Sequence, residues 1–197
     1  MIGERTANDD MSGHPARRIA VIGSSGSGKS TMAKAIGHAL GLPVVELDAI
    51  NWQAGWRDLN TDDPEEFVRR VTAAIAAPEW VCDGNYGRVA PHIIRRATDV
   101  IWLDYGRPLI MSRVIRRSLA RSLTRREVWP NTGNVEYWRN WLGKEHPVWW
   151  AWSTFARLRQ RYEESFAGPA LAHVTLHRLR RPRAARTLLD QLRSERA

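Results

Sequence analysis

Short, mostly apolar runs recur along the chain, and each has the length of a strand buried on both faces of a sheet. These runs are residues 19–22, 44–47, 80–82, 100–103 and 174–176. Segments with apolar residues at helical spacing lie between and after them. These segments are residues 31–40, 64–77, 108–121, 157–166 and 183–193. The alternation predicts an α/β fold with a five-stranded parallel sheet and right-handed crossovers.

The length of 197 residues is most simply that of one domain. Residues 1–17 are polar, mixed in charge and without a continuous apolar segment. We therefore expect a flexible N-terminal extension followed by a single domain over residues 18–197.

A glycine-rich loop stands between the first predicted strand and the first predicted helix. Residues 23–30 read Gly-Ser-Ser-Gly-Ser-Gly-Lys-Ser and fill every fixed position of the phosphate-binding pattern G-x-x-x-x-G-K-[ST]. The alternative is a Gly/Ser linker that matches by chance, and the flanking strand and helix argue against it. The predicted nucleotide-binding residues are Gly23, Ser24, Ser25, Gly26, Ser27, Gly28, Lys29, Ser30 and Thr31.

The chemistry of this loop follows from its residue types. Glycines let successive backbone N–H groups turn inward around an anionic phosphate, and the following helix adds its positive end. We expect Lys29 to reach the β- and γ-phosphates, Ser30 to ligate Mg²⁺ and Thr31 to lie near the α-phosphate.

Three aspartates follow predicted strands, so we expect them at the same edge of the sheet as the loop. Asp48 follows the second strand, and Asp83, after the third, is the candidate for holding Mg²⁺ or tethering Ser30. Asp104 ends the fourth strand in the form often called Walker B. Tyr105 follows it, where a motor-type ATPase usually carries an acidic residue. We therefore favour Asp83 for the metal and keep Asp104 as a structural or secondary candidate.

The helix predicted from residue 108 combines an apolar face with several arginines. Arg113 and Arg117 are four residues apart and therefore neighbours on one side of the helix. Two such guanidiniums suit a transferring phosphoryl group, since positive charge stabilises its transition state. We predict that both are catalytic and that Arg117 also contacts the nucleotide; the alternative is a solvated basic face.

Residues 122–152 interrupt the alternation of strands and helices and carry six tryptophans. We predict an inserted helical lid or acceptor-binding segment that excludes water from the transfer. Alternatively, these tryptophans pack on one another or stack on nucleic acid bases. Trp52, in the loop after the second strand, is a candidate acceptor contact; the alternative for it and Trp56 is to cover the core.

Composition and charge narrow the classes of protein further. No apolar run approaches the roughly 18 residues of a membrane span, and the single Cys82 rules out an intrachain disulfide, so we expect a cytoplasmic protein. The formal net charge is +9, with −2 in residues 1–100 and +11 in residues 101–197. Nearly all of the basic residues are arginines, which suit phosphates of a nucleotide or of a nucleic acid.

Several segments together resemble the nucleoside monophosphate kinase-like group of P-loop proteins, which have the adenylate kinase and shikimate kinase fold. These segments are residues 20–31, 46–52, 80–86, 101–104 and 113–117. Within that group the chain most resembles small bacterial proteins labelled adenylate kinase-like or "DNA topology modulation protein" (FlaR-like). The resemblance covers most of residues 18–180 and implies a three-layer P-loop NTPase fold, an ATP-dependent phosphotransferase activity, and ATP and Mg²⁺ as cofactors.

The resemblance also implies roles for single residues. Asp48 is similar to the shikimate kinase carboxylate that binds or deprotonates the acceptor hydroxyl. Arg88 stands near the acceptor-phosphate arginine of adenylate kinases, and Arg157 lies on the helix that leaves the lid. The predicted acceptor site thus comprises Asp48, Trp52, Asn85, Arg88 and Arg157. The usual AMP-binding helix pattern is not evident between residues 48 and 80, which leaves the acceptor open.

Two functions from different classes follow. The first is a kinase that transfers the γ-phosphoryl group of Mg-ATP to a nucleotide or a hydroxyl-bearing metabolite. The second is a nucleic-acid-associated ATP-binding protein, which the basic second half and the tryptophans allow.

Overall fold

A computed structural model describes residues 16–124, 127–129, 132–135 and 146–195. Its strands in chain order are β1 (Arg18–Gly23), β2 (Val44–Glu46), β3 (Trp52–Gln53), β4 (Arg57–Asp58), β5 (Trp80–Asp83), β6 (Asp99–Leu103) and β7 (Thr175–Leu179). Its helices are α1 (Lys29–Leu40), α2 (Leu47–Asn51), α3 (Leu59–Asp62), α4 (Pro64–Ala74), α5 (Ala90–Arg96), α6 (Arg107–Thr124), α7 (Pro147–Ala167) and α8 (Pro182–Ser194). Short 3₁₀ turns cover Ala54–Trp56 and Pro169–Leu171.

Five of the strands form one parallel sheet in the order β2-β5-β1-β6-β7. All five predicted strands and the parallel arrangement are confirmed. In this order β1 is central, so the chain leaves the middle of the sheet directly into the glycine loop. β3 and β4 form a separate antiparallel pair, which the sequence did not predict.

Two apolar clusters cover the two faces of the sheet, which confirms the three-layer architecture. In β1, Ile19 and Val21 belong to one cluster together with apolar residues of α1, α6, α7 and α8. Ala20, between them, belongs to the other cluster with residues of α4 and α5. Successive side chains of a central strand face opposite sides of the sheet, and both sides are buried. Every position of the strand therefore needs an apolar residue, as the sequence has.

Local signals explain where individual helices begin. α1 starts immediately after Gly28, whose φ of 95° lies in the left-handed region. α4 begins with Pro64 in its first turn, and the side chain of Asp63 accepts a hydrogen bond from the backbone N–H of Glu66.

The predicted extension and insertion fall partly outside the described residues. Arg17 contacts the domain, since its guanidinium lies 2.6 Å from the Glu195 carboxylate, while residues 1–15 are not described. At the insertion, α6 continues to Thr124 and α7 begins at Pro147, so helices occupy both ends of the predicted range 122–152. These boundaries, the flexibility of the extension and the lid function stay predictions. Within the described ranges, no helix is long and apolar enough to cross a membrane.

Candidate functional site: a phosphate-binding loop at the carboxyl edge of the sheet

The glycine loop is a tight turn between β1 and α1, and it leaves no room for a side chain at Gly26. Its φ is 82°, and a Cβ there would overlap the side chain of Val114 on α6. The backbone N–H of Ser27 donates to the carbonyl of Ser24 at 3.1 Å, which closes the turn. The loop therefore packs directly against α6, and its conformation depends on that contact.

Lys29 lies across this loop in the first turn of α1. Its Nζ donates to the carbonyl of Ser24 at 3.3 Å. Burial lowers the pKa of Lys29, while the carboxylates of Asp48 and Asp83 act in the opposite sense. These contacts aim the ammonium group at the space that the loop encloses.

Asp83 and Ser30, the two predicted metal ligands, lie together. β5 pairs with both β1 and β2, and this register places Asp83 beside Val21 and Glu46. Burial raises the pKa of Asp83, and a hydrogen bond from the Ser30 hydroxyl lowers it. A carboxylate and a hydroxyl next to a lysine form an oxygen donor set that suits Mg²⁺. No cluster of three or more His, Cys, Asp or Glu side chains suited to a metal is found in the described part of the chain.

Asp48 lies in the first turn of α2, directly after β2, and is exposed. The hydroxyl of Tyr86 donates to its Oδ1 at 2.8 Å. Burial, and then the neighbouring Asp48, raise the pKa of Tyr86, so this tyrosine acts as a donor to Asp48. The Tyr86 ring packs edge to face on Phe67 of α4, with 5.0 Å between the ring centroids. The carboxylate is therefore held in place while it remains accessible to a ligand.

Arg113 and Arg117 both reach the loop from α6. Arg113 Nη1 donates to the carbonyl of Ser27 at 2.9 Å, and Arg117 Nη2 donates to Ser25 Oγ at 3.2 Å. Both residues are partly buried, which argues against the alternative of a solvated basic face. Two guanidiniums thus border the loop.

Asn85 connects the loop after β5 to the start of the phosphate-binding loop. Its amide nitrogen donates to the carbonyl of Gly23, and its Oδ1 accepts from the Gly23 N–H at 3.4 Å. Burial raises the pKa of Tyr162, on α7, and the neighbouring backbone of Gly23 acts in the opposite sense. These contacts of Asn85 are therefore structural, and its role in acceptor binding stays a prediction.

Asp104 has a structural environment. It is buried, and Arg159 Nε and Arg178 Nη2 lie 3.2 and 2.7 Å from its carboxylate oxygens. Arg180 follows at 3.8 Å. These contacts join α7 and β7 to the end of β6, and they agree with the preference for Asp83 at the metal.

The remaining arginines predicted for the acceptor site are spread out. Arg157 is exposed on α7, one turn before Arg161, whose guanidinium lies against Gly87. A Cβ on Gly87 would be 3.2 Å from Arg161 Nη1. Arg88 is exposed and lines a depression of about 400 Å³ with the start of α4 and with His92. The roles of Arg88 and Arg157 stay predictions.

Trp52 belongs to a cluster of three tryptophans. Its ring stacks on Trp129 at 6.1 Å between centroids, and Trp56 meets both rings edge to face at 5.8 Å. Asn134 is fully buried beside them; it accepts from the Trp56 N–H at 2.8 Å and donates to the Gln53 carbonyl at 2.9 Å. These contacts attach Trp129 and Asn134 to the hairpin of β3 and β4, which follows Asp48 in the chain. We call this group the tryptophan clamp.

Sequence reasoning missed three of these residues as site or supporting residues: Tyr86, Asn134 and Tyr162. The segment Asp-Gly-Asn-Tyr at residues 83–86 was a usable signal for Tyr86, since it places a tyrosine three residues after the metal candidate. The contacts of Asn134 could not be predicted, because its partners are backbone groups far away in the sequence.

Comparisons with known proteins concern the fold. No protein family model matches the chain, and no curated protein matches it. Among solved structures, the shikimate kinase from Acinetobacter baumannii in complex with shikimate is similar, with a TM-score of 0.53, 16% identity and coverage of 90% of each chain. A shikimate kinase from Bacteroides thetaiotaomicron matches with a TM-score of 0.48, 15% identity and coverage of 91% and 97%. A gluconokinase from Sinorhizobium meliloti 1021 matches with a TM-score of 0.45, 18% identity and coverage of 91% and 94%.

Sheet order, loop and structural similarity together define the class of protein. The chain has the α/β fold of P-loop kinases, with the phosphate-binding loop after the central strand. At these identities the similarity shows the fold alone, and the adenylate kinase-like and DNA topology modulation families remain resemblances.

Proposed function

We propose that this protein is a small-molecule kinase that transfers the γ-phosphoryl group of Mg-ATP to a hydroxyl-bearing metabolite or a nucleotide. One observation carries the proposal. Lys29, the Ser30 and Asp83 pair, and the two arginines of α6 converge on the glycine loop, with the accessible carboxylate of Asp48 close enough to influence Lys29. Phosphoryl transfer needs positioning and positive charge, and this arrangement supplies both.

Each group has a defined role in this reaction. The loop N–H groups and Lys29 would hold the β- and γ-phosphates. Ser30 and Asp83 would hold Mg²⁺, which would supply positive charge beside those phosphates. Arg113 and Arg117 stabilise the charge of the transferring group. The acceptor oxygen bonds to the γ-phosphorus as the bond to the β-phosphate oxygen breaks, so that ADP leaves. The proton of the acceptor hydroxyl passes to Asp48, which also accepts a hydrogen bond from the Tyr86 hydroxyl.

A hydroxyl-bearing acceptor is the first class to test. Asp48 can take a proton or a hydrogen bond from a substrate hydroxyl. It does not suit a phosphate group, because its negative charge would repel a nucleotide phosphate. The similarly folded shikimate kinase is described in complex with shikimate, a hydroxyl-bearing molecule. Nucleoside monophosphates are also tested as acceptors, because the Arg161 guanidinium lies against Gly87, between the predicted acceptor residues Asn85 and Arg88.

A nucleic-acid-associated ATP-binding protein is the second candidate. Trp149, Trp150 and Trp152, on the first turns of α7, are each more than half exposed. Arg107 lies over the Trp152 ring, 4.7 Å from its centroid. Exposed aromatic rings beside arginines are a known arrangement for stacking on single-stranded bases.

The test is ADP production from Mg-ATP by the wild type, Lys29→Ala and Lys34→Ala, with hydroxyl metabolites, nucleosides, nucleoside monophosphates and short DNA or RNA. Lys34 is the matched control, because it is an exposed lysine of the same helix that pairs with Glu46. We expect an acceptor to stimulate turnover in the wild type and Lys34→Ala, and at least a hundredfold loss in Lys29→Ala. Stimulation by nucleic acid alone would reject the kinase and favour the second candidate.

A further inference from the structure

A second concave site lies at the opposite edge of the sheet from the phosphate-binding loop. It is a cavity of about 400 Å³ lined by Arg18, Arg95, Arg96, Ala97, Thr98 and His173. Arg18 begins β1, and Asp99, next to Thr98, begins β6, so the cavity opens at the amino ends of the central strands. Since β1 has six residues at ~3.3 Å each, the loop lies about 16 Å away. We call this cavity the amino-edge pocket.

The arginines of this pocket hold their positions by bonds to neutral groups. Arg18 donates to the carbonyls of Arg96 and Pro78, the latter at 3.3 Å. Arg96 Nη2 donates to the carbonyls of Ala76 and Ala77 at 3.1 and 3.3 Å. These bonds use part of the five N–H donors of each guanidinium and neutralise none of its charge.

No carboxylate balances the three arginines within the described ranges. Neither Arg18, Arg95 nor Arg96 forms an ion pair with another described residue, whereas the neighbouring Arg17 pairs with Glu195. The Nε of Arg96 is buried and has no acceptor among the described residues. The pocket therefore carries three fixed positive charges and unused donors.

Two carboxylates that adjoin pocket residues or Arg17 bond to groups other than the pocket arginines. Asp99 accepts from Thr98 Oγ1 at 2.8 Å and lies 3.1 Å from His177 Nε2. Glu79 accepts from the backbone N–H of Arg17 at 3.1 Å. The remaining ring in the wall is His173, whose Nε2 is 3.1 Å from the carbonyl of Ile94. Because a carbonyl only accepts, Nε2 carries a proton and Nδ1 is left for a ligand.

We propose that the amino-edge pocket binds the phosphate group of a small phosphorylated molecule, independently of the phosphate-binding loop. Arginine forks match phosphate oxygens in pairs, and uncompensated guanidiniums in a concave wall give the charge that a dianion needs. The volume lies at the lower end of the range for small-molecule sites, which suits a phosphate monoester with a short carbon skeleton. A nucleic acid would require an extended basic stripe rather than a single concavity.

The experiment is calorimetric titration of inorganic phosphate and of glycerol 3-phosphate at constant ionic strength, with saturating Mg-ADP to fill the phosphate-binding loop. The pocket variant is Arg95→Gln with His173→Gln, since both residues are exposed and their loss leaves the fold intact. The matched control is Arg183→Gln with His38→Gln, which removes an exposed arginine and an exposed histidine from α8 and α1.

We expect glycerol 3-phosphate to bind the wild type and the control pair equally, and the pocket variant at least tenfold more weakly. Thermal unfolding of both variants checks that they are folded. Absence of binding to the wild type, or equal binding by the pocket variant, would overturn the proposal. A short single-stranded DNA is titrated in the same way. If the DNA binds in a salt-dependent manner, the pocket variant binds it more weakly, and the phosphate ester does not bind, the pocket is a nucleic acid site and the proposal is overturned. The outcome is independent of the kinase proposal, because the comparison is between variants that both leave the phosphate-binding loop unchanged.

Discussion

At the scale of single residues, the candidate site concentrates buried charge. Burial lowers the pKa of Lys29 and raises that of Asp83, because both groups lose contact with water. Their mutual attraction offsets only part of this loss. Opposed shifts of this kind mark sites where function, rather than stability, determines the residue. In a kinase the phosphates and Mg²⁺ supply the missing partners.

The first prediction concerns Asp83→Asn, which keeps the side-chain volume and removes the buried charge. Since burial raises the pKa of Asp83 above its ordinary 3.8, its folded form binds a proton more tightly than the unfolded chain does. The contribution of Asp83 to stability is therefore present below pH 3.8 and lost as the pH rises through the folded pKa.

We expect Asp83→Asn, without ligand, to be more stable than the wild type at pH 7, and the difference to shrink toward pH 4. The same variant should lose Mg²⁺-dependent turnover by a hundredfold or more. Urea denaturation at several pH values and the ADP assay measure the two effects. A variant that is less stable at pH 7, or a difference that does not change with pH, would contradict this account.

At the scale of elements, the site is assembled from loops that other elements hold. α6 supports the glycine loop through Val114 and two arginines, and α7 supports it through Tyr162. The hairpin of β3 and β4 depends on the tryptophan clamp, where Trp56 has a positive φ of 61° that is unusual for a bulky residue. Asn134 bonds to the backbone on both sides of this turn.

The second prediction concerns Asn134→Ala. Loss of its two hydrogen bonds leaves the N–H of Trp56 and the carbonyl of Gln53 without their part-buried partner, so we expect destabilisation by about 1–2 kcal/mol. Because the hairpin that the clamp holds directly follows α2, which carries Asp48, we expect KM for the acceptor to rise and KM for ATP to stay within twofold.

The matched control for this prediction is Gln53→Ala, which removes a side chain from the same hairpin and keeps the carbonyl that Asn134 binds. Tryptophan fluorescence reports whether the clamp opens. An equal rise in KM for ATP and for the acceptor would show that Asn134 supports the whole fold rather than the acceptor side.

At the scale of the whole molecule, the two edges of the sheet differ in what they present. The carboxyl edge brings together the loop, Asp48 and Asp83, whereas the amino edge carries the amino-edge pocket. Asp104 joins β6 to α7 and β7, and thereby fixes the last strand and the long arginine-bearing helix to the sheet. Three arginines of the basic second half, Arg159, Arg178 and Arg180, are used in this way for assembly.

The third prediction concerns Asp104→Asn. This variant removes a buried carboxylate that balances several guanidiniums, so we expect the free energy of unfolding to decrease by about 2–4 kcal/mol. The cost is reduced because the Arg159 side chain is 40% exposed and keeps contact with water. The Mg²⁺ concentration for half-maximal activity should not change. Denaturation and a Mg²⁺ titration measure the two quantities, with Asp190→Asn on the surface of α8 as the control. A marked rise in the Mg²⁺ requirement would return Asp104 to the metal site.

The sequence by itself determined the five strands, the parallel sheet and the nucleotide loop, because apolar runs, helical spacing and glycine positions are local properties of the chain. It also placed Asp48 and Asp83 at the correct edge, since strand ends fix the residues that follow them. It did not predict the hairpin of β3 and β4, the clamp around Asn134, or the Tyr86 contact with Asp48. Those depend on pairs of groups that are far apart in the chain, and only the tertiary structure brings them together. Likewise, the sequence does not distinguish the different roles of arginines. Arg117 reaches the loop, Arg178 neutralises Asp104, and other arginines line a second pocket. Packing alone decides which partner each one meets.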